Sequence, residues 1–389
     1  MIKTIRIDHY KSVAQASLHL QKTSVLVGGN SAGKSNFIDA IAFLRDAVEH
    51  GLEQSVSERH GIDSIIQWSP TRPYNLEIAV SYETDFGNGR YNVKLSSKTR
   101  QPRVLEESGN WYAKPPNLTK GIYFTRDKNT LKLFNVSDKT ENDFQRFFGA
   151  LTEDELFIHH GRYPYPEMQG LRFLNIALKD FKVYNIYPNT IRLPQKASNE
   201  NQLSSSGDNL HSILKLMVAS KAAPIRTRYQ EIISTMSRII PNLERILVKN
   251  VSGLLWPIFE VRDTDGRGHQ YNVSQISDGA LRVLGILTAL YQPFPPRIIA
   301  IEEPEQNIHP GALSLIAEAF KDISDRTQII TTTHSPHMLD HFEPDDIFPT
   351  EFQQGRTVIS PMSSQQKKAI VERLLLASEV MTSQGFEVE

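Results

Sequence analysis

Apolar and polar residues follow two different periods along the first fifty residues. The segment IKTIRI alternates between them as a strand does, and TSVLVG is a short apolar run typical of a buried strand. After a glycine-rich loop, apolar residues recur at helical spacing up to Gly51, a plausible helix stop. These apolar positions are Phe37, Ile38, Ile41, Leu44 and Val48. The pattern predicts a strand, a loop and a helix in that order.

The middle of the chain has a less regular pattern. NLEIAVSYE and RYNVKLSS read as strands joined by a turn, whereas residues 97–194 mix proline, asparagine, lysine and aromatics without a sustained period. We interpret the latter as an inserted subdomain of irregular strands and short helices. The polar stretch 196–209 predicts a mobile loop, with Asp208 or Asn209 capping the helix LHSILKLMVA.

Helices and apolar strands alternate in the last third. After a hairpin that turns at TDGRG come the helix GALRVLGILTALYQ, the strand RIIAIEE, the helix ALSLIAEAFKDI and the strand TQIITTTH. This alternation predicts a parallel sheet with crossover helices. We expect an α/β fold with a mixed sheet, in three segments: an N-terminal lobe 1–96, an insert 97–250 and a C-terminal lobe 251–389.

Composition narrows the functional classes only slightly. The 389 residues include no cysteine, which excludes disulfides, thiolate zinc sites and cysteine nucleophiles. The net charge of −1 gives no global basic field, although a local basic patch remains compatible with it. No apolar run approaches the roughly 20 residues that span a bilayer. We therefore expect a cytoplasmic protein with no membrane partner.

The loop VGGNSAGKSN has the spacing of a phosphate-binding loop. A glycine-rich loop between a strand and a helix directs backbone N–H groups at a phosphate. Gly28 and Gly33 permit the close approach, Lys34 reaches the β and γ phosphates, and the Ser35 hydroxyl binds Mg²⁺. The alternative is a plain glycine turn, but the strand and helix context favours the phosphate loop.

Two strand ends in the last third carry groups suited to nucleotide hydrolysis. Glu302 and Glu303 end RIIAIEE, so one carboxylate can face Mg²⁺ and the other the attacking water. We assign the metal to Glu302 and the water to Glu303. His334 ends the next strand, where ligands of parallel sheets gather, and would contact the γ-phosphate or the water. The alternatives are a solvated acidic turn and a structural histidine.

The segment QISDGALRVLGIL offers a second helix N-terminus that could bind an anion. Ser277, Asp278 and Gly279 precede its apolar helix. By itself the segment is equally an ordinary N-cap, with Ser277 or Asp278 as the capping residue.

Four motifs in this order resemble one family. GGNSAGKSN, SDGALR, IEEPEQNIHP and TTTHSP look like the ATP-binding-cassette ATPases of the SMC, RecF and OLD group, and most strongly like the RecF/OLD-like ATPases of bacterial anti-phage defence. The resemblance implies the P-loop ATPase head fold, ATP and Mg²⁺ as cofactors, and a head-to-head homodimer with two ATP molecules between the heads. It leaves higher oligomers open.

The resemblance also implies a role for each motif residue. The loop from Gly28 to Ser35, with Asn30 inside it and Asn36 after it, binds nucleotide as the Walker A motif. Ser277 and Gly279 match the signature motif, which meets the γ-phosphate of the opposite subunit. Glu302 and Glu303 match the Walker B motif. His334 matches the switch histidine, and His309 falls at the D-loop position.

Several positions depart from the family pattern or match it weakly. Asp278 replaces the glycine of transporter cassettes, and Glu302 replaces the commoner aspartate, which leaves the hydrolysis rate open. Lys11 lies in an element that resembles one near the nucleotide in this family, although a surface lysine is an equal alternative. Gln67 is a candidate for the Q-loop glutamine.

The resemblance points to an effector that is encoded as a separate protein. OLD nucleases carry a Toprim domain after the cassette, and only a short tail follows TTTHSPHML here. We therefore expect an ATPase that controls a separately encoded effector, such as a Toprim-type nuclease, in anti-phage defence. The alternatives are a RecF-like or SMC-like repair ATPase that acts on DNA directly, and a slowly hydrolysing, nucleotide-dependent scaffold.

Overall fold

A computed structural model describes residues 1–68, 74–85, 87–96, 101–114, 121–128, 130–135, 151–160, 169–263, 265–383 and 385–387. The chain forms two compact units. Unit 1 comprises Met1–Phe181, Asp345–Lys368 and Phe386–Glu389, and unit 2 comprises Lys182–Pro344 and Ala369–Gly385. The division into 1–96, 97–250 and 251–389 that the sequence texture indicates stays a prediction.

The described chain contains both strands and helices, with runs of consecutive strands in its first half. The strands are β1 (Ile2–Tyr10), β2 (Val13–His19), β3 (Thr23–Val27), β4 (Leu76–Glu83), β5 (Gly87–Ser96), β6 (Arg103–Ala113), β7 (Gly121–Asp127), β8 (Thr130–Asn135), β9 (Phe181–Tyr184), β10 (Gln195–Lys196), β11 (Leu243–Val251), β12 (Leu254–Arg262), β13 (Gly268–Asn272), β14 (Ile298–Glu302), β15 (Gln328–Thr333), β16 (Ile347–Gln353) and β17 (Arg356–Ile359). The α-helices are α1 (Lys34–His50), α2 (Leu52–Ser57), α3 (Ile62–Ile65), α4 (Gln169–Lys179), α5 (Pro188–Arg192), α6 (Leu210–Ala219), α7 (Ala223–Ser237), α8 (Asp278–Tyr291), α9 (Leu313–Ile323), α10 (Pro336–Leu339), α11 (Ser364–Val371) and α12 (Ala377–Ser383).

Unit 1 is built on a mixed sheet. Its strand order is β8-β7-β6-β5-β4-β1-β2-β17-β16-β3. The pairs from β8 to β2 are antiparallel, as is β16 with β17, whereas β17 pairs parallel to β2 and β16 parallel to β3. Burial alternates along β4, so one face of that strand packs on a core, while β3 is buried at every residue.

The strand, loop and helix predicted at the start of unit 1 are confirmed. β3 ends at Val27, and α1 runs from Lys34 to His50 with Gly51 at its C-terminal end. The apolar positions read from the sequence are all buried in α1. Burial of these apolar side chains stabilises the helix more than its intrinsic propensity does.

Unit 2 is organised around two parallel strands. β14 pairs with β15 in register from Ile298↔Gln328 to Glu302↔Thr332. Both strands are almost wholly buried, and α8 and α9 contribute to the same apolar core. A separate sheet has the order β10-β12-β11, with β13 paired to β12. The predicted parallel pairing with crossover helices is confirmed.

The structure adds detail to two expectations about the middle of the chain. Where irregular strands were predicted, β6 is a strand of 11 residues that pairs with β5, with a register shift between Lys94 and Leu95. The stretch predicted as a mobile loop is tied by the Asn209 side chain, which accepts from Ser204 N at 2.9 Å and donates to Gln202 O at 2.9 Å. Asn209 is the N-cap residue of α6, but its side chain makes these loop contacts and does not cap the helix.

Within the described ranges, no helix combines the length and the apolar character needed to cross a bilayer.

Candidate functional site

The phosphate loop lies in unit 1 and holds its own lysine. Lys34 begins α1 and is almost wholly buried, and its Nζ donates to the carbonyl oxygens of Gly28 at 2.8 Å and Gly29 at 2.9 Å. Gly33 precedes the helix at φ 99°, and Ser31 is also left-handed at φ 65°. The loop therefore curls around the ammonium group of Lys34.

Packing explains why this loop has glycine at positions 28 and 33. A Cβ on Gly28 would overlap with the backbone carbonyl of Thr350 in β16, and a Cβ on Gly33 would overlap with the side chain of Thr357 in β17. Gly29, between them in sequence, has open space around it. Close approach to the neighbouring strands thus requires glycine at both positions, and at Gly33 the backbone angle requires it as well.

The start of α1 fits a phosphate group. No side chain caps the helix at Gly33, and no acidic residue lies in its first turn. Such a helix end presents backbone N–H groups and the positive end of the dipole to an anion. Ser35 lies in that first turn, and Asn30 is exposed in the loop. Asn36 is held by a 2.7 Å hydrogen bond from Nδ2 to Ser12 Oγ.

A charged cluster adjoins α1 through Asp39. Its carboxylate accepts from Lys11 Nζ at 2.6 Å, from the Tyr10 hydroxyl at 2.6 Å and from Arg59 Nε at 3.1 Å. Burial alone would raise the pKa of Asp39, but the hydrogen bonds from Lys11 and Tyr10 and the charge of Arg59 together lower that pKa. Lys11 is therefore committed to Asp39 in this structure.

The Q-loop candidate has a local partner. Gln67 is buried, and its Oε1 lies 2.9 Å from Nδ1 of His9, which stacks on Tyr74. Its role at a nucleotide stays a prediction.

Unit 2 brings Glu303 and His334 together. Glu303 follows β14 with a left-handed backbone (φ 45°), and its N–H donates to Thr332 O at 3.1 Å. Its carboxylate accepts from Gln306 Nε2 at 2.7 Å, and Oε1 lies 3.7 Å from Nδ1 of His334. Glu302 is the last residue of β14 and is half-buried. The ends of two neighbouring parallel strands thus carry the acidic and imidazole groups.

The signature segment forms an exposed helix start in the same unit. Ser277 is the N-cap of α8 and accepts from Ala280 N at 3.3 Å. An added Cβ on Gly279 would lie 2.8 Å from the carbonyl oxygen of Asn307, so glycine is needed for this close approach. His309 is exposed, and its Nδ1 accepts from Gly311 N at 3.1 Å.

Comparison with known proteins identifies the family. The family model described as "AAA domain, putative AbiEii toxin, Type IV TA system" matches residues 24–340. The match runs from β3, which precedes the phosphate loop, to the end of α10, which follows His334. The chain belongs to this AAA-domain family. No curated protein matches the sequence.

Solved structures share the fold of this AAA domain. One is an Smc head bound to the C-winged helix domain of ScpA, with a TM-score of 0.53 and 14% identity over 94% of this chain and 99% of that chain. Another is the Pyrococcus furiosus Smc head with an extended coiled coil, bound to the C-terminal domain of ScpA, with a TM-score of 0.51 and 11% identity over 96% of this chain and 99% of that chain. The predicted ATPase head fold is confirmed: this AAA domain has the fold of Smc head domains.

Sequence reasoning missed two buried charges in the AAA domain. Glu305 accepts the Thr333 hydroxyl at 2.6 Å and the His334 N–H at 2.9 Å through Oε1, while its Oε2 is buried without a hydrogen-bond partner among the described residues. Arg282, in α8, donates from Nη2 to the carbonyl oxygens of Glu302 and Glu303, each at 3.2 Å. An arginine inside an otherwise apolar helix was the available signal for Arg282.

Arg282 supports the left-handed turn at Glu303. Its guanidinium lies 5.7 Å from the ring centroid of Tyr187, and burial lowers the pKa of the guanidinium. A non-glycine residue in this backbone region carries a conformational cost of about 1–3 kcal/mol, which surrounding contacts must offset. The two carbonyl contacts of Arg282 are such contacts.

Proposed function

We propose that this AAA domain binds ATP with Mg²⁺ and hydrolyses it. The observation that carries the proposal is the phosphate loop, where a buried Lys34 is held at the start of a helix that no side chain caps. The loop carbonyls that now accept from Lys34 hold its ammonium beside the helix N-terminus, so exchange of these contacts for phosphate oxygens requires little movement. Gly28, Asn30, Gly33 and Asn36 complete the loop.

The acidic and imidazole groups supply the hydrolytic roles. Bound ATP provides the phosphoryl group, and bound Mg²⁺ neutralises charge on the phosphate oxygens. Ser35 and Glu302 are the proposed protein groups for the metal, in keeping with the few protein ligands that Mg²⁺ usually takes beside phosphates. Glu303 is the proposed base for water, and His334 orients the water or the γ-phosphate.

We further propose that ATP closes a homodimer. Ser277 is exposed at a helix N-terminus, and His309 is exposed after the Glu303 turn, so both are open to a second subunit. In the closed dimer, Ser277 and Gly279 contact the γ-phosphate held by the other subunit. Loss of these contacts on hydrolysis would favour the open form, since a ligand shifts an equilibrium only by differential contacts.

The proposed output is control of a separate effector protein in the cytoplasm, such as a nuclease in anti-phage defence. Two findings support a protein partner. The family description names a putative AbiEii toxin of a Type IV TA system. Both Smc heads of similar fold are bound to a ScpA domain.

The test is to trap the nucleotide-bound form in the native host. Tagged Glu303→Gln keeps the size and hydrogen bonding of the side chain but removes its basicity, so it should bind ATP, lose turnover and accumulate as a dimer. The control is the double variant Lys34→Ala/Glu303→Gln, which should remain monomeric. Proteins and nucleic acids that co-purify are identified by mass spectrometry and sequencing.

The outcomes separate three functions. A stoichiometric effector protein retained only by the single variant supports the proposal. Nucleic acid without a protein partner indicates a repair ATPase acting on DNA. A wild-type dimer that requires ATP but turns over at the rate of Glu303→Gln indicates a nucleotide-dependent scaffold.

A further inference from the structure

Arg192 joins the end of α5 to the segment around the signature residues. Its Nη1 donates to the backbone carbonyl oxygens of Ser274 and Ile276, each at 3.0 Å, and to that of Val273 at 3.4 Å. Its Nη2 donates to the carboxylate of Asp278, with which it forms an ion pair. One side chain thus contacts four residues immediately around Ser277.

The segment also has restraints of its own. Asn272 and Gln275 form a capping box, in which Ser274 N donates to Asn272 Oδ1 and Asn272 N donates to Gln275 Oε1, each at 2.9 Å. Within it, Ile276 N donates to Val273 O at 3.3 Å, and Ala280 N donates to Ser277 Oγ at 3.3 Å. Both distances are long for such bonds. The capping box orders residues 272–275, and Arg192 adds contacts at Ile276 and Asp278, on either side of Ser277.

The charge at Asp278 follows from the position of Arg192. A guanidinium near the first turn of α8 faces the positive end of the helix dipole, which disfavours it. Asp278 lies in that first turn and pairs with Arg192, so its carboxylate interacts favourably with both the positive helix end and the guanidinium. This arrangement gives a physical reason for an aspartate at a position where transporter cassettes have glycine.

We propose that Arg192 is a positioning residue for the signature segment. It holds residues 273–278 so that Ser277 and Gly279 present their backbone and hydroxyl groups in one arrangement to the second subunit. Among the described residues of unit 2, Arg192 makes no contact with Glu303, so it acts through the segment. This inference rests on the proposed dimeric ATPase, which requires Ser277 and Gly279 to contact nucleotide in trans.

The same short helix also reaches the acidic turn. Tyr187 precedes α5, and its ring lies beside the guanidinium of Arg282, which holds the Glu302 and Glu303 carbonyls. One end of α5 therefore contacts the signature segment, and the other contacts Arg282, which holds the turn at Glu302 and Glu303. A protein bound at this helix would alter both together.

The first measurement is amide hydrogen exchange on the full chain without nucleotide. Arg192→Ala should speed exchange at Ile276 and Ala280, because loss of the carbonyl contacts loosens their hydrogen bonds. Arg238→Ala is the matched control, since Arg238 forms an exposed ion pair with Glu318 in the same unit. Exchange in β14 and β15 should be unchanged in both variants, which would show that the fold is intact.

The second measurement separates positioning from nucleotide affinity. Arg192→Ala should lower ATP turnover by about tenfold or more and leave the ATP dissociation constant within about twofold. The reason is that Ser277 and Gly279 contact the nucleotide of the other subunit only in the closed dimer. Asp278→Asn, which keeps the shape and removes only the charge, should have a smaller effect. Arg192→Lys, with a cation but fewer donors, should restore part of the turnover. Arg238→Ala should turn over as the wild type does.

The results distinguish this inference from the proposed function. If the wild type does not hydrolyse ATP, the proposed function fails, while the exchange experiment still tests whether Arg192 orders the segment. If the wild type is active and Arg192→Ala matches it in turnover, the positioning role is wrong, whatever the exchange shows. Equal exchange at Ile276 and Ala280 in both proteins would also overturn it.

Discussion

The carboxylate of Glu305 accepts a 2.9 Å hydrogen bond from the backbone N–H of His334. The same oxygen accepts from the Thr333 hydroxyl, and the His334 Nδ1 lies 3.6 Å from it. The turn after β14 is thereby fastened to the end of β15. His334 has its backbone held by Glu305 while its ring faces both Glu303 and Glu305.

Glu305→Ala should therefore impair turnover more than nucleotide binding. Without the carboxylate, the His334 N–H and the Thr333 hydroxyl lose their acceptor, and His334 is no longer held beside Glu303. We expect turnover to fall by about tenfold and the ATP dissociation constant to change by less than about twofold. Steady-state ATPase assays and fluorescent-nucleotide titrations measure the two quantities. Glu318→Ala, at an exposed glutamate of α9, should change neither, and an equal loss in that control would remove the special role of Glu305.

Lys34→Ala should abolish ATP binding. The variant removes the only side-chain cation that the phosphate loop itself contributes, and its backbone donors alone do not balance the phosphate charge. Isothermal titration with ATP and Mg²⁺ is the direct measurement. Lys132→Ala, at an exposed strand position, is the control and should bind as the wild type does. Retained affinity in Lys34→Ala would contradict the assignment of the loop.

The two adjacent glycines of the phosphate loop should differ in their tolerance of a methyl group. Gly28→Ala forces an overlap with the Thr350 carbonyl, so we expect a loss of about 1–3 kcal/mol in the free energy of unfolding. Gly29→Ala places its methyl group in open space and should be nearly neutral for stability. Urea unfolding of the two variants provides the comparison. Equal stabilities would show that β16 does not constrain the loop.

The buried histidine His211 should make stability depend on pH. Its Nδ1 lies 3.0 Å from Leu255 O and its Nε2 lies 2.9 Å from Ile191 O, and burial lowers its pKa from 6.5 to about 4 despite these carbonyls. At pH values between about 4 and 6.5, the unfolded chain binds a proton at this histidine that the folded chain does not, so stability falls as the pH falls.

The size of this effect follows from the pKa shift. The contribution of His211 should weaken by about 2 kcal/mol between about pH 7 and about pH 5. His211→Gln should remove that part of the pH dependence, and urea unfolding at the two pH values measures it. His19→Gln, at an exposed histidine of β2, should keep the wild-type dependence. An unchanged slope in His211→Gln would mean that the ring titrates normally when folded.

Contiguous patterns in the sequence predicted the parts of the site that lie within one short segment. The phosphate loop, α1 and its buried face are defined over a few turns of chain, where hydrophobic period and glycine spacing act directly. The strand ends carrying Glu302, Glu303 and His334 were predicted for the same reason, since β14 and β15 each have a continuous apolar run. The strands after residue 96 were less evident because glycines and buried polar residues such as Glu107 interrupt their alternation.

Only the tertiary structure decided how these segments are held. Arg192 and Asp278 pair across 86 positions, and Glu305 and His334 across 29. Arg282 finds its carbonyl acceptors 20 and 21 positions away. A hydrogen bond depends on donor and acceptor meeting within about 3 Å, and no periodicity encodes which distant carbonyl a buried guanidinium will reach. The sequence by itself therefore determined which chemical groups the protein carries, whereas folding decided which of them support one another.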